Sequence, residues 1–246
     1  MDEFREHPQI TELIDTLEKN DMPKEKAEVE SLVSYIGDME KTLTEMLKEM
    51  QEMRLEINKI HNSSLRAKCQ NLVEKTEGKI KQGIAIVVKA KDNLSQSAKN
   101  ALKAFKEKGK EAFRSAVKAM KVPETLDKLA SFFGKLSRDV EQDVKQIDSM
   151  HKELHSARGH LKNVGRLLIG REAKETEEVK ADKGVLSRLG RLLDKIGKGF
   201  ANLSQKAMDK ADNIRVSVVK ESVKNELNAL KGMKSERSAT EISRER

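Results

Sequence analysis

Between Val29 and Ile60 the apolar residues fall at Val29, Leu32, Ile36, Met39, Leu43, Met46, Met50, Met53, Ile57 and Ile60, in alternating steps of three and four. That is the heptad spacing of a helical seam. Pro23 suits a first helical turn, and Asp21 is a candidate cap. The segment makes a rod of about 48 Å. Apolar on one side and charged on the other, it must bury its seam against something.

What it packs against is bounded by composition. Aromatic residues are 3% of the 246 and Trp is absent, which favours a thin helical core of Leu, Ile, Val, Met and Ala. Strand-like alternation is missing and only three prolines interrupt the chain, at 8, 23 and 123. The expected fold is all-α, an elongated helical bundle or coiled coil with long antiparallel helices. Cys69 stands alone and fits a reducing compartment. The start MDEFREHPQ has no apolar signal region, and the longest apolar run, Ile84 to Val88, is far short of the roughly 20 residues of a span. A cytoplasmic protein is expected.

Residues 1–22 read as a short helix and turn, with Ile10, Leu13, Ile14 and Leu17 on one face. Residues 23–169 read as a long-helix bundle. From Leu65 to Lys121 its period changes to eleven, with Cys69, Ile80, Leu102 and Phe113 on one ladder that fails only at Lys91. Eleven residues in three turns make a nearly straight helix. Gly78, Gly83 and Gly109 weaken it, so a break is expected near 78–83 or 109. Val122-Pro123 marks a boundary. The next stripe runs from Leu126 through Val140, Val144, Ile147, Leu154, Leu161 and Val164 to Leu168. This helix nearly matches the Val29–Ile60 rod in length, and the two are expected to pair antiparallel. Residues 170–184 read as a charged linker, 185–232 as a C-terminal helical region seamed by Leu186, Leu189, Leu193 and Ile196, and 233–246 as a disordered tail.

Charge is segregated. Residues 1–64 hold 8 Lys/Arg against 16 Asp/Glu, residues 65–122 hold 15 against 5, and residues 184–234 hold 11 against 5. Either the basic helices face the acidic rod within the fold, or they face an anionic polymer. On the second reading Lys89, Lys91, Lys99, Lys103, Lys106, Lys110, Arg114 and Lys118 are the nucleic-acid-binding candidates, contacting phosphates without reading sequence. The basic stretch Lys79 to Lys121 also resembles lipid-surface helices, but Ala and Gly dilute its apolar face and core packing is the plainer use.

Catalytic chemistry is hard to find. His151 and His155 share a helical face and could hold a metal, with His160 nearby, but Glu153 stands where no zinc-protease motif would put it. The glycines of Ile196 to Phe200 lack phosphate-loop spacing, and Cys69 sits on an apolar ladder. The four methionines of the rod read as core rather than as an adaptable binding face. No enzyme, cofactor, metal or small-molecule ligand is expected.

Two segments, Leu32 to Lys41 (LVSYIGDMEK) and Gly159 to Arg166 (GHLKNVGR), together resemble an uncharacterised family of helical proteins encoded on conjugative and other mobile elements of gut Firmicutes. The resemblance covers most of residues 10–172 and carries no site residues. It implies a bacterial cytosolic protein accessory to a mobile element. The expected function is a non-enzymatic helical interaction protein acting by protein–protein contact. Sequence-independent nucleic-acid binding is the alternative, and peripheral membrane attachment the third.

Overall fold

The computed structural model describes residues 4–174 and 184–242, with side chains to Ser217 and at Lys220. Among these residues are six helices and no strand: α1 (Pro8–Lys19), α2 (Pro23–Ile57), α3 (Ser63–Lys108), α4 (Lys110–Lys118), α5 (Val122–Leu168) and α6 (Val185–Ile242). The chain is all-α.

Helix α2 starts at Pro23, whose fixed φ and missing N–H suit the first turn. Its cap is Met22, not Asp21, which takes a left-handed φ of 55° in the turn after α1. From Val29 to Ile57 the heptad residues are all buried, and Ile60, beyond the helix end, is half-buried. Val33 and Tyr35 are buried as well. The buried face is therefore wider than a coiled-coil seam, because α2 meets α3 on one side and α6 on the other.

Asn62 opens α3, its side-chain oxygen accepting from the Leu65 N–H at 2.9 Å. The helix runs unbroken past Gly78 and Gly83. At Gly83 a Cβ would stand 3.0 Å from Leu43 and 3.4 Å from Phe133, so this glycine admits two core side chains. The break comes at Gly109, where φ is 80°. There α4 turns back and sets Phe113 against Phe105, ring centroids 5.3 Å apart.

Helices α2, α3, α5 and α6 form the corners of an up-down-up-down bundle. Arg54 meets Glu77 while Glu40 meets Lys91, so α2 and α3 are antiparallel. Ser137 reaches Gly197 while Ala130 meets Ser204, so α5 and α6 are antiparallel too. Helix α1 caps one end of the bundle, burying Ile10, Leu13 and Leu17 against α2 and α3.

Two further expectations are corrected. Helix α5 does not pair antiparallel with α2. The two run in the same direction at diagonal corners, because each connection reverses the chain and helices two steps apart point alike. The main partner of α5 is α6, which closes the bundle as its fourth corner. Nor is the α5 stripe buried to its end. Burial stops near Ile147, and Leu161, Val164 and Leu168 are exposed. The first turns of α3 and α6 lie beside α5 near Met150 and His151, Lys68 sharing a groove with Met150 and Leu186 a cleft with His151, so the last turns of α5 outrun their neighbours.

The backbone of α6 stays helical to Ile242, through the first part of the expected tail; residues 243–246 lie outside the described residues. Of the expected linker, Lys174 folds back on α5 and exchanges two hydrogen bonds with the Asn163 amide, at 2.8 and 3.0 Å. Residues 175–183 lie outside the described residues.

Candidate functional site

Small residues bring α5 and α6 close together, beside the stacked rings of Phe133 and Phe200. Gly190, Gly197, Ser204 and Ala211 recur at every seventh position of α6. A Cβ at Gly190 would stand 3.1 Å from Ile147, and one at Gly197 would stand 3.5 Å from Val140. Backbones this close let side chains of one helix reach the other's carbonyls. Ser137 Oγ donates to Gly197 O at 2.9 Å, and Ser204 Oγ donates to Ala130 O at 2.7 Å. The heptad of small residues was there to be read, hidden behind the more conspicuous leucines.

Between α2 and α6 the charges choose partners within the fold. Glu56, Glu49 and Asp38 meet Arg188, Lys195 and Lys206 at 3.0, 2.5 and 3.9 Å, with equal steps along the two helices. Between α6 and α5, Arg215 bonds Asp127, and on its own helix it bonds Asp212. Near the Asp38 end of the α2–α6 interface Tyr35 donates a 2.7 Å hydrogen bond to Leu203 O, and burial, with Asp38 nearby, pushes its phenol well above the ordinary range.

The eight nucleic-acid candidates divide. Lys91 pairs with Glu40 at 2.5 Å and lies over the Phe4 ring, and Lys106 pairs with Glu12 at 3.0 Å. Among the described residues Lys103 has only Glu107, on its own helix, at 3.8 Å. Among the described residues, no ion pair within 4.0 Å engages Lys89, Lys99, Lys110, Arg114 or Lys118. All but the half-buried Arg114 are exposed.

His151 and His155 are half-buried on α5, and His160 is exposed. His151 lines a cleft of about 400 Å³ between α5 and α6 with Asp148, Arg191 and Asp194. Among the described residues no group of three His, Cys, Asp or Glu is placed to hold a metal. Cys69 is buried, and burial raises its thiol pKa, which disfavours the nucleophilic thiolate. Among the described residues no helix is long and apolar enough to cross a membrane.

The geometry thus concentrates exposed apolar surface at the far end of α5. Leu161 is 72% exposed, Val164 54% and Leu168 81%, with Leu167 and Ile169 beside them. The turn that follows is capped by Gly170 at φ 70°, and Arg166 donates to Glu172 O at 2.8 Å.

No curated protein and no solved structure matches the chain. A family of unknown function, DUF6674, matches over residues 6–246, and the chain belongs to that family.

Proposed function

We propose that this chain is a non-enzymatic helical interaction protein that acts by protein–protein contact. The observation that carries the reading is the apolar stripe of α5, which continues beyond the bundle onto exposed helix. Apolar side chains grouped on one projecting face mark a contact surface more often than a defect. The buried polar groups add support, since Tyr35 and Ser137 are engaged in holding helices together. The resemblance to helical proteins of mobile elements sets the context: a bacterial accessory protein in transfer, maintenance or interference with host defence. Crosslinking of the full chain in a bacterium carrying such an element tests this against the variant L161S/V164S/L168S. The expected result is a discrete crosslinked protein that the variant loses. Equal crosslinking by the variant overturns the reading, as does a turnover that His151→Ala abolishes.

A second reading has its own observation. On α3 and α4, Lys89, Lys99, Lys110 and Lys118 are exposed without acidic partners among the described residues. Such a face suits duplex phosphates. Each neutralised phosphate would add about −0.9 to the log–log salt slope of binding. A flat slope removes this reading. Membrane attachment through Lys79–Lys121 is less favoured, because Val88 is the sole large apolar residue strongly exposed there among the described residues.

A further inference from the structure

From Ile147 the apolar positions of α5 continue through Met150, Leu154, Leu161, Val164 and Leu168 on one heptad, with Ala157 filling the remaining place. A stripe of that period is complementary to another helix, whose surface offers the holes for such knobs. As far as the half-buried Leu154 the bundle supplies those helices. The later apolar positions, Leu161, Val164 and Leu168, are exposed.

The groups bordering the stripe set the sign of what would cover it. From His151 to Lys174 the chain carries six Lys or Arg and two carboxylates, Glu153 and Glu172. Arg158, Lys162 and Arg166 follow one edge of the stripe at four-residue steps. A second copy docking through the same face would bring like charge to that edge. The acidic helix of a second copy is not available either, because the α2 seam is closed inside its own bundle. An anionic bilayer suits the charge but not the face, since no Phe, Tyr or Trp occurs between residues 134 and 199. A groove of about 510 Å³ opens at the foot of the stripe, between the start of α3 and α5, lined by Lys68, Leu72, Met150 and Glu153. It gives the end of a docked helix a seat and adds one more cation.

We propose that the projecting end of α5, residues 150–168, docks an acidic amphipathic helix of a partner protein. The partner's apolar face covers Leu161, Val164 and Leu168, and its carboxylates meet Arg158 and Lys162. This rests on the protein-contact reading above and adds to it the chemistry of the partner.

The test uses the full chain and two designed peptides of about four heptads, with Leu at a and d and either Glu or Lys at e and g. The Glu peptide is expected to bind at least about tenfold more tightly than the Lys peptide at low salt, the margin narrowing as salt is added. L161S/L168S should abolish binding, and R158E/K162E should reverse the preference. The substituted side chains are exposed, so both variants should keep the wild-type melting curve, checked by circular dichroism. Binding of the Glu peptide that survives L161S/L168S overturns the placement. Tighter binding of the Lys peptide, lost in L161S/L168S, overturns the acidic partner and leaves the contact face standing. Failure of both peptides overturns the proposal and the contact reading of this face together. If neither binds but phosphatidylglycerol vesicles do, through Leu161 and Leu168, the occupant is lipid and the proposal fails. Dimerisation of the chain that L161S/L168S removes overturns it in favour of a second copy.

Discussion

Lys79 Nζ lies 2.5 Å from Asp143 Oδ2, tying α3 to α5 inside the bundle. Asp143 is fully buried and also meets Lys75 at 2.7 Å, while Lys79 spends a second bond on Asp139 O at 2.8 Å. Burying the Lys79 ammonium with the Asp143 carboxylate is costly, whereas Lys75 stays half in solvent, and a sliding of α3 along α5 would break both pairs. The cluster therefore fixes register more than it adds stability.

Asp143→Ala strands Lys79 in the core. The expected loss is about 3–5 kcal/mol in the unfolding free energy, read from urea denaturation. Replacing both partners, as in K79M/D143L, should cost less than Asp143→Ala alone. A double variant as unstable as the single one would mean that the pair itself, not the stranded charge, carries the energy.

The close α5–α6 contact makes Gly197 a size gauge. A Cβ there meets Val140 at ordinary contact distance, 3.5 Å. Gly197→Ala should fit and stabilise by up to about 1 kcal/mol, the helix-propensity difference. Gly197→Leu should instead force the helices apart, at a cost of about 1–3 kcal/mol or more. Thermal melts of the two variants moving in the same direction would contradict this packing.

Glu28 on α2 is partly buried, and its carboxyl is raised above its ordinary 4.5 by burial, opposed by Lys24 and helped by Glu25 and Glu124. The unfolded chain ionises first as pH rises, while the folded chain holds the proton longer. Ionised Glu28 thus opposes folding, and its stabilising protonated form is lost as pH rises through the raised value. Glu28→Gln should raise the denaturation midpoint near neutral pH and leave it unchanged well below the ordinary value. A gain that is constant across that range would assign it to something other than ionisation.

Much of the fold was legible because it depends on period. The Val29–Ile57 heptad and the eleven-residue ladder through Cys69 and Ile80 are both buried, and Gly109 ends α3. Pairing was less legible, because helix length does not choose partners. Small residues at Gly190, Gly197 and Ser204 decide how closely α6 approaches α5. Acid–base ladders such as Glu49–Lys195 decide which side α2 presents to it. The exposure at the end of α5 is not legible in the sequence for a related reason. A heptad shows that a face suits another helix, not that the same chain supplies one.

That distinction can be measured on α5 itself, where Leu136 and Leu161 belong to the same stripe. Leu136 is 3% exposed and Leu161 72%. Leu136→Ala should cost about 2–5 kcal/mol, because it removes transferred apolar area and leaves a cavity. Leu161→Ala should stay within about 0.5 kcal/mol of wild type, since its side chain already meets solvent. Chemical denaturation of the two variants side by side checks this. A Leu161→Ala loss comparable to that of Leu136→Ala, independent of protein concentration, would mean that the stripe is covered within one chain. A loss that appears only at high protein concentration would mean that a second copy covers it. Equal stability at every concentration leaves the face open for a different protein, as the acidic-helix proposal requires.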